Sequence, residues 1–482
     1  MVRWHPSPAV APLLAGIAAF AYVYLATGAI ENDHFIMLAR AHQVVYGDWP
    51  VRDFEDPGMP LAYLVSAAAA ALFGPTLLVN VIASILFFAV TAAFTYLLTR
   101  RLSGSTIAAI AAAAVTIALY PRLYNTTKVV VPVIAMVLAW RYTPASPIRH
   151  VAGMAFWTAI AFLLRHDYAV YVVLLNVVLL ALTHAQDPRE AARRITLYAV
   201  FALLFSAPWL IYVQRNEGVG EYFDAALRFV GDEGRRTAGG GPQPLFYAAV
   251  AIPVAGVVVC WRRRASRMLA PLAGSAVMLL AMDAVFLRDV TAVRLPDVVA
   301  PTAIVASAIA GLTMTRRAID AASMVLAVVL LVVGIAVARP ARAIVRAGAL
   351  PERAARVTAR LRHAAPEIQP VPARAPLIAY LSRCTSSGDR SGLPSWIPGY
   401  YEDPRDVARA VARLNRERVG AVVMVDGPNM FAASWPELDR WVRGHGFDEY
   451  AVAPIDARLR VWLPHDRSGF ALDPATQLPC GA

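Results

Sequence analysis

Charge is scarce in this chain. Only 16% of its 482 residues are Asp, Glu, Lys or Arg, while 58% are hydrophobic, a balance too apolar for a soluble protein of this size. Lysine is almost absent: among 45 basic residues, Lys128 is the lone lysine and every other one is arginine. This is a compositional bias, and it singles out Lys128. Cysteine is limited to three residues. Cys260 ends an apolar stretch beside an arginine cluster and reads as a small apolar side chain. Cys384 and Cys480 fall in the polar C-terminal part and can pair if that part lies outside the cytosol, a point the sequence leaves open. No glycine-rich phosphate loop stands between the strands of that part, which excludes a nucleotide-binding reading, and there is no internal repeat. A net charge of +12 would point to nucleic acid in a soluble domain. Here the arginines sit in short clusters between apolar segments, which is the topogenic pattern of a membrane protein, so no nucleic-acid partner is expected.

What the chain does have is a series of apolar stretches, several reaching the ~20 residues needed to cross a ~30 Å hydrocarbon core. The expected fold is an α-helical polytopic membrane domain of about eleven spans. The first, roughly residues 9–29, is too long and too well followed by others to be a signal peptide. After it comes an amphipathic helix over residues 34–46, suited to the membrane interface. An acid-, Pro- and Gly-rich loop to Pro60 follows, then a short apolar helix over 61–73. Further spans are read near 77–99, 105–120, 128–140, 151–164, 168–184, 195–213, 245–261, 268–287, 298–314 and 321–338, with Gln214–Pro244 as a longer outer loop. This count places Arg100-Arg101, Arg141 and Arg149, Arg193-Arg194, Arg262–Arg264 and Arg316-Arg317 on the cytoplasmic side together with the N-terminus.

Residues 1–338 form the expected transmembrane domain, 339–375 a Pro/Arg/Ala linker with helical pieces, and 376–482 an extracytoplasmic α/β domain. In that domain Pro376–Leu381 reads as a strand, Arg405–Arg418 as a helix and Val419–Val425 as a buried strand. Trp435–Gly446 reads as a helix, and 450–453 with 458–463 as a closing strand pair.

The outer loops carry the chemistry. Glu31 and Asp33 follow the first span, Arg52 and Asp53 lie in the next loop, Arg122 and Lys128 bracket another, and Arg165-His166-Asp167 and Arg288 with Arg294 lie in two more. Each has a plain reading as solvated loop acids, snorkelling anchors or a local ion pair. Gathered at one membrane boundary, they fit a site that deprotonates a nucleophile and holds a phosphate. Sugar transfer with inversion needs a carboxylate to take the acceptor's proton. A phosphate leaving group needs Arg or Lys for charge-assisted hydrogen bonds. A lipid-linked donor keeps its tail in the bilayer, so the reaction must run at the interface. Glu31 and Asp33 are also spaced to hold Mg or Mn through oxygen ligands, if a metal is used.

The run Glu31-Asn32-Asp33-His34, then Gly47-Asp48-Trp49-Pro50-Val51-Arg52-Asp53-Phe54, and the Pro-Gly-x-Pro-Leu at 57–61 resemble the start of GT-C fold glycosyltransferases, in particular the bacterial protein-mannosyltransferase and aminoarabinose-transferase-like superfamily. Arg165-His166-Asp167-Tyr168 resembles an outer loop of these enzymes. The resemblance covers the first hundred or so residues best, and it implies a polyprenyl-phosphate sugar donor and a catalytic acid in the first outer loop. That role falls on Asp33, with Glu31 as partner or substitute. A second acid common in the next outer loop is missing here between Pro121 and Lys128, and Asp167 is the substitute.

The expected function is an inverting glycosyltransferase in the bacterial inner membrane, passing sugar to a glycan, lipid or protein acceptor. Arg52, Asp53, Arg122, Lys128, Arg165, His166, Asp167, Arg288 and Arg294 are its expected substrate-binding residues. A transporter or flippase of lipid-linked saccharides is the alternative. That class uses polar or broken helices near the midplane, whereas these spans are clean of charge apart from Asp283. A ligase carries its large outer loop mid-chain rather than at the end, and a membrane scaffold would need no lipid groove beside Asp33.

Overall fold

The computed structural model describes residues 10–26, 37, 40–41, 44–45, 47–54, 56–73, 77–235, 244–262, 268–286, 295–328, 380, 384, 411–412, 414–415, 419–425, 436–452 and 459–480. They belong to two compact units. One comprises Met1–Gly28, Glu55–Ala62 and Val81–Gly348; the other comprises Ala29–Phe54, Tyr63–Asn80 and Ala349–Ala482.

The first unit is a helical bundle. The helices in chain order are α1 (Val10–Ala26), α2 (Pro60–Phe73), α3 (Leu77–Ser103), α4 (Thr106–Ala118), α5 (Thr126–Ala139), α6 (Ile148–Leu164), α7 (His166–Thr183), α8 (Pro188–Asn216), α9 (Val219–Arg235), α10 (Pro244–Arg262), α11 (Leu269–Phe286) and α12 (Leu295–Thr313), of which α2 from Tyr63 and α3 up to Asn80 are counted in the second unit. Residues 316–328 are helical as well. Every segment expected as a span contains a helix among its described residues, with ends that fall a residue or two inside the expected bounds at 105, 119–120, 140, 184, 268 and 314. Among the described residues, α3, α7, α8, α11 and α12 are long and apolar enough to cross a membrane, while α1, α2, α4, α5, α6 and α10 are apolar but shorter. The expected outer loop Gln214–Pro244 is corrected: Val219–Arg235 within it is helix α9.

The core is built from α5, α6, α7, α11 and α12, whose buried faces are aliphatic and small: Val133, Met136, Ala155, Leu175, Leu179, Leu279 and Ile304 are all wholly buried. Without water to drive association, helices in lipid adhere by close packing of small residues. At Gly274 on α11 an added Cβ would stand 2.6 Å from the Leu175 carbonyl oxygen, so α7 and α11 approach too closely there for any side chain. A polar tie also joins three helices. Tyr198 Oη lies 2.6 Å from Thr158 Oγ1 and accepts from Asn176 Nδ2 at 3.1 Å, linking α8 to α6 and α7.

The second unit contains a three-stranded antiparallel sheet in the order β1 (Val422–Val425), β3 (Leu459–Pro464), β2 (Phe447–Ala451). Val423 and Tyr450 both pair with Val461. Helix α13 (Pro436–Gly444) precedes β2, and its Trp441 is buried with Val442 and Trp462. A second core gathers Tyr380, Cys384, Val452, Leu463 and Leu478. The Cys384–Cys480 disulfide, left open by the sequence, is formed. Its Cys480 end lies in a short pair, β4 (Ala471–Leu472) with β5 (Pro479–Cys480). Tyr380 is helical where a strand was expected. Its hydroxyl donates to the Pro479 carbonyl at 2.5 Å, so its burial reflects that anchor rather than strand alternation. The other residues of Pro376–Leu381 lie outside the described residues. In the segment after α1, Met37, Arg40, Ala41, Val44 and Val45 are helical, as the amphipathic pattern requires, and the Arg40 guanidinium stacks 4.5 Å from the centre of the Phe54 ring.

Candidate functional site

Three helix starts meet at one end of the bundle. Lys128 lies in the first turn of α5 and Asp297 in the first turn of α12, and their charges are 3.6 Å apart with side chains 6% and 0% exposed. The start of a helix is its positive end, and a buried ammonium there is disfavoured twice, by the helix dipole and by loss of water. Asp297 offsets both. The third start is α7. Arg165 alone connects α6 to α7, with an extended backbone that ends one helix and begins the next. Its guanidinium donates to Asp167 Oδ1 at 2.8 Å. Asp167 is in the first turn of α7, where a carboxylate complements the dipole.

The three starts share one electrostatic field. Burial works against the charge on Arg165, but the carboxylate of Asp167, then Tyr168 and Asp297, outweigh it and hold the guanidinium protonated more firmly than an ordinary arginine. Arg165 also lies 5.8 Å from the centre of the Tyr168 ring. Tyr168 is 2% exposed, and its hydroxyl has no hydrogen-bond partner among the described residues. A guanidinium, an ammonium and a buried hydroxyl are the donors a phosphate monoester or diester needs.

Beside this cluster lies a second one that the sequence reading missed. Tyr222 of α9 donates to Asp56 Oδ2 at 2.7 Å and lies 3.2 Å from His166 Nε2. The backbone N–H of His166 donates to the Gly58 carbonyl at 3.0 Å.

Lys128, Arg165, His166 and Asp167 are therefore brought to one end of the bundle. Arg122 is exposed and donates to the Tyr124 hydroxyl at 2.8 Å. Arg52 and Asp53 belong to the other unit, where they staple a turn: Arg52 pairs with Asp53 at 2.6 Å and donates to the Gly47 carbonyl, and Asp53 accepts from the Trp49 N–H. Glu31, Asp33, Arg288 and Arg294 lie outside the described residues, and with Glu31 and Asp33 goes the expected Mg or Mn pair. Among the described residues no group of three His, Cys, Asp or Glu side chains is placed to hold a metal. Asp283, the acid within a span, is 1% exposed on α11, and its carboxylate has no hydrogen-bond partner among the described residues. Asp297, Tyr168, Asp56 and Tyr222 are the site's additions to the sequence reading. A signal existed for the first two, which adjoin named charges; Tyr222 was hidden in a segment read as loop.

No family model matches the chain, and no curated protein matches it. Solved structures do. The crystal structure of ArnT from Cupriavidus metallidurans bound to undecaprenyl phosphate aligns with a TM-score of 0.52 at 17% identity, covering 94% of this chain and 97% of that one. The same enzyme in the apo state aligns with a TM-score of 0.51 at 16% identity over the same shares. At this identity the likeness establishes the fold alone: over 94% of its length the chain shares the GT-C fold of ArnT.

Proposed function

We propose that the protein is a membrane glycosyltransferase that moves a sugar from a polyprenyl-phosphate donor to an acceptor at the outer face of a bacterial inner membrane. The observation that carries this reading is the convergence of Lys128, Arg165 and the Tyr168 hydroxyl, with their counter-acids Asp297 and Asp167, at the starts of three helices. Support for the donor class comes from the shared fold with a protein crystallised with undecaprenyl phosphate.

In this reading the lipid tail stays among the helices and the phosphate rests on Arg165 and Lys128, with Arg288, Arg294 and Arg122 as further basic groups of the same face. Asp33 takes the proton of the acceptor hydroxyl, with Glu31 beside it, and Asp167 is the substitute acid. The acceptor oxygen bonds to the anomeric carbon as the carbon–oxygen bond to phosphate breaks. The electron pair leaves with the polyprenyl phosphate, where arginine and lysine stabilise it. Such stabilisation of developing charge is commonly the largest single contribution to catalysis. The anomeric centre inverts, because the acceptor enters opposite the leaving group. Arg52 and Asp53 pair with one another within their own turn.

The test is transfer of radiolabelled sugar from undecaprenyl-phosphate-linked donors in membranes containing the wild-type protein or Asp33→Asn. Transfer by the wild type, lost in the variant, is expected. Transfer at the wild-type rate by Asp33→Asn overturns the assignment of the base, and no transfer by the wild type with any donor overturns the enzyme.

A further inference from the structure

We propose that Asp56, Tyr222 and His166 form a hydrogen-bonded latch that positions the Arg165–Asp167 loop for the donor's phosphate, so that helix α9 is part of the donor site although it contributes no group to the phosphate itself. The inference rests on the phosphate role given above to Arg165.

The latch joins three distant pieces of chain. Asp56 and Tyr222 are 166 residues apart, yet both are buried, at 4% and 2% exposure. Each oxygen of the Asp56 carboxylate has its own task. Oδ1 accepts the backbone N–H groups of Gly58 and Met59 at 3.0 and 2.8 Å, closing the turn ahead of α2. Oδ2 accepts the Tyr222 hydroxyl. The tyrosine proton is thus committed to the carboxylate, so its contact with His166 Nε2 requires the imidazole to donate. This fixes one histidine tautomer, with the proton on Nε2.

The imidazole, partly buried, is held between several neighbours. Phe162 stacks on it at 4.1 Å, Tyr222 meets it edge-on at 5.3 Å and Phe223 lies at 5.7 Å. Gly58 also meets the ring, and its φ of +101° and contact with His166 leave no room for a Cβ. A left-handed backbone and a close approach are the two circumstances that demand glycine.

His166 stands between Arg165 and Asp167 in the chain, so holding its ring and its N–H holds the loop that aims the guanidinium. Tyr222 is well placed to govern this. It lies four residues beyond Gly218, whose φ is +97°, at the joint where α8 ends and α9 begins. Tyr222 is accordingly a positioning residue, acting through His166 on Arg165.

Tyr222→Phe removes one hydroxyl and keeps the ring. Binding of undecaprenyl phosphate to the purified full-length protein in nanodiscs is expected to weaken roughly tenfold, as for loss of a hydrogen bond to a charged group. The KM for a lipid-phosphate sugar should rise in the same proportion while kcat changes less. Gly58→Ala displaces His166 from the opposite side without touching α9 and should weaken binding in the same direction. Arg165→Ala is the control for the underlying reading. If Arg165→Ala weakens binding while Tyr222→Phe and Gly58→Ala do not, the latch is overturned, whatever happens to their melting temperatures. If Arg165→Ala itself leaves binding intact, the phosphate role falls and the latch with it.

Discussion

Lys128 and Asp297 lie in the first turns of two helices far apart in sequence, yet their charged groups are 3.6 Å from one another, with side chains 6% and 0% exposed. Removing one member of a buried pair strands the other, at a cost of about 3–5 kcal/mol, whereas replacing both with apolar groups of similar volume is often neutral. Lys128→Ala or Asp297→Ala should therefore lower the stability of the detergent-solubilised protein by about that amount. Lys128→Met combined with Asp297→Leu should recover most of it. Donor binding should stay lost in the double variant, because the ammonium is gone. A double variant that melts normally and still binds undecaprenyl phosphate at full affinity would reduce the pair to a structural tie.

Arg165 tests shape rather than charge. Asp167, Tyr168 and Asp297 hold its guanidinium protonated, so no accessible pH neutralises it. Arg165→Lys keeps the positive charge and loses the planar fork that grips two oxygens. The KM for the lipid-phosphate donor is expected to rise about tenfold, the equivalent of ~1.4 kcal/mol. An unchanged KM would show that a point charge suffices. Steady-state kinetics over a range of donor concentrations decide it.

The helices of the bundle were legible because continuous apolar runs have one reading in a membrane protein: the span expected near 168–184 is His166–Thr183, and that near 268–287 is Leu269–Phe286. Helix α9 was not. Its sequence mixes Glu221, Asp224 and Arg228 with Tyr222, Phe223 and Leu227, so it lacks an apolar run. Only the helical spacing of its aromatic and aliphatic residues marks it. Lys128 stood out by composition, but no local pattern could name Asp297 as its neighbour, since packing of α5 against α12 makes that pair. Tyr380 failed for a related reason: an apolar stretch too short to show a period was read as strand, and the hydrogen bond to Pro479 that anchors it is a tertiary fact.

At the opposite end of the bundle, His184 gives a pH dependence with a definite sign. It caps the end of α7, is 8% exposed, and its Nε2 lies 2.9 Å from the Tyr142 hydroxyl. Burial, then the nearby Arg194, draws its pKa below the usual histidine value. The unfolded chain therefore takes up this proton near pH ~6.5, and the folded protein takes it up only at lower pH. Stability is thus highest above pH ~6.5 and falls as the pH drops below it, until the folded state is protonated too. The melting temperature in detergent should be lower near pH 5 than near pH 7.5, and His184→Gln should remove part of that difference. Equal pH dependence in the two proteins would show that other groups set it.

Within the bundle, Tyr198 ties α8 to Thr158 on α6 and Asn176 on α7. Hydrogen bonds between membrane helices contribute about 0.6 kcal/mol on average and rarely more than ~1.7. Tyr198→Phe keeps the ring and should lower stability by that modest amount, read from unfolding in mixed micelles. Donor KM should be unchanged, since none of the three residues belongs to the cluster at the helix starts. A rise in KM would show that the position of α8 is transmitted to the site.

The Cys384–Cys480 disulfide closes a loop across a sequence separation of 96. In the chain-entropy account a loop of that size stabilises by about 4–5 kcal/mol, since the cross-link mainly restricts the unfolded chain. The pair also ties the helical residue Cys384 to β5 within a core formed by Tyr380, Val461 and Leu463. Replacing both cysteines by serine should make the C-terminal domain cleavable at much lower protease concentrations. The fragment pattern from the helical bundle should be unaffected, because the cross-link lies wholly within the C-terminal domain. The bond further requires an oxidising compartment, so in wild-type cells these two thiols should resist maleimide labelling until a reductant is added. Free labelling of both residues without reductant would show that the bond does not form in the cell, and would remove the reason for placing this domain outside the cytosol.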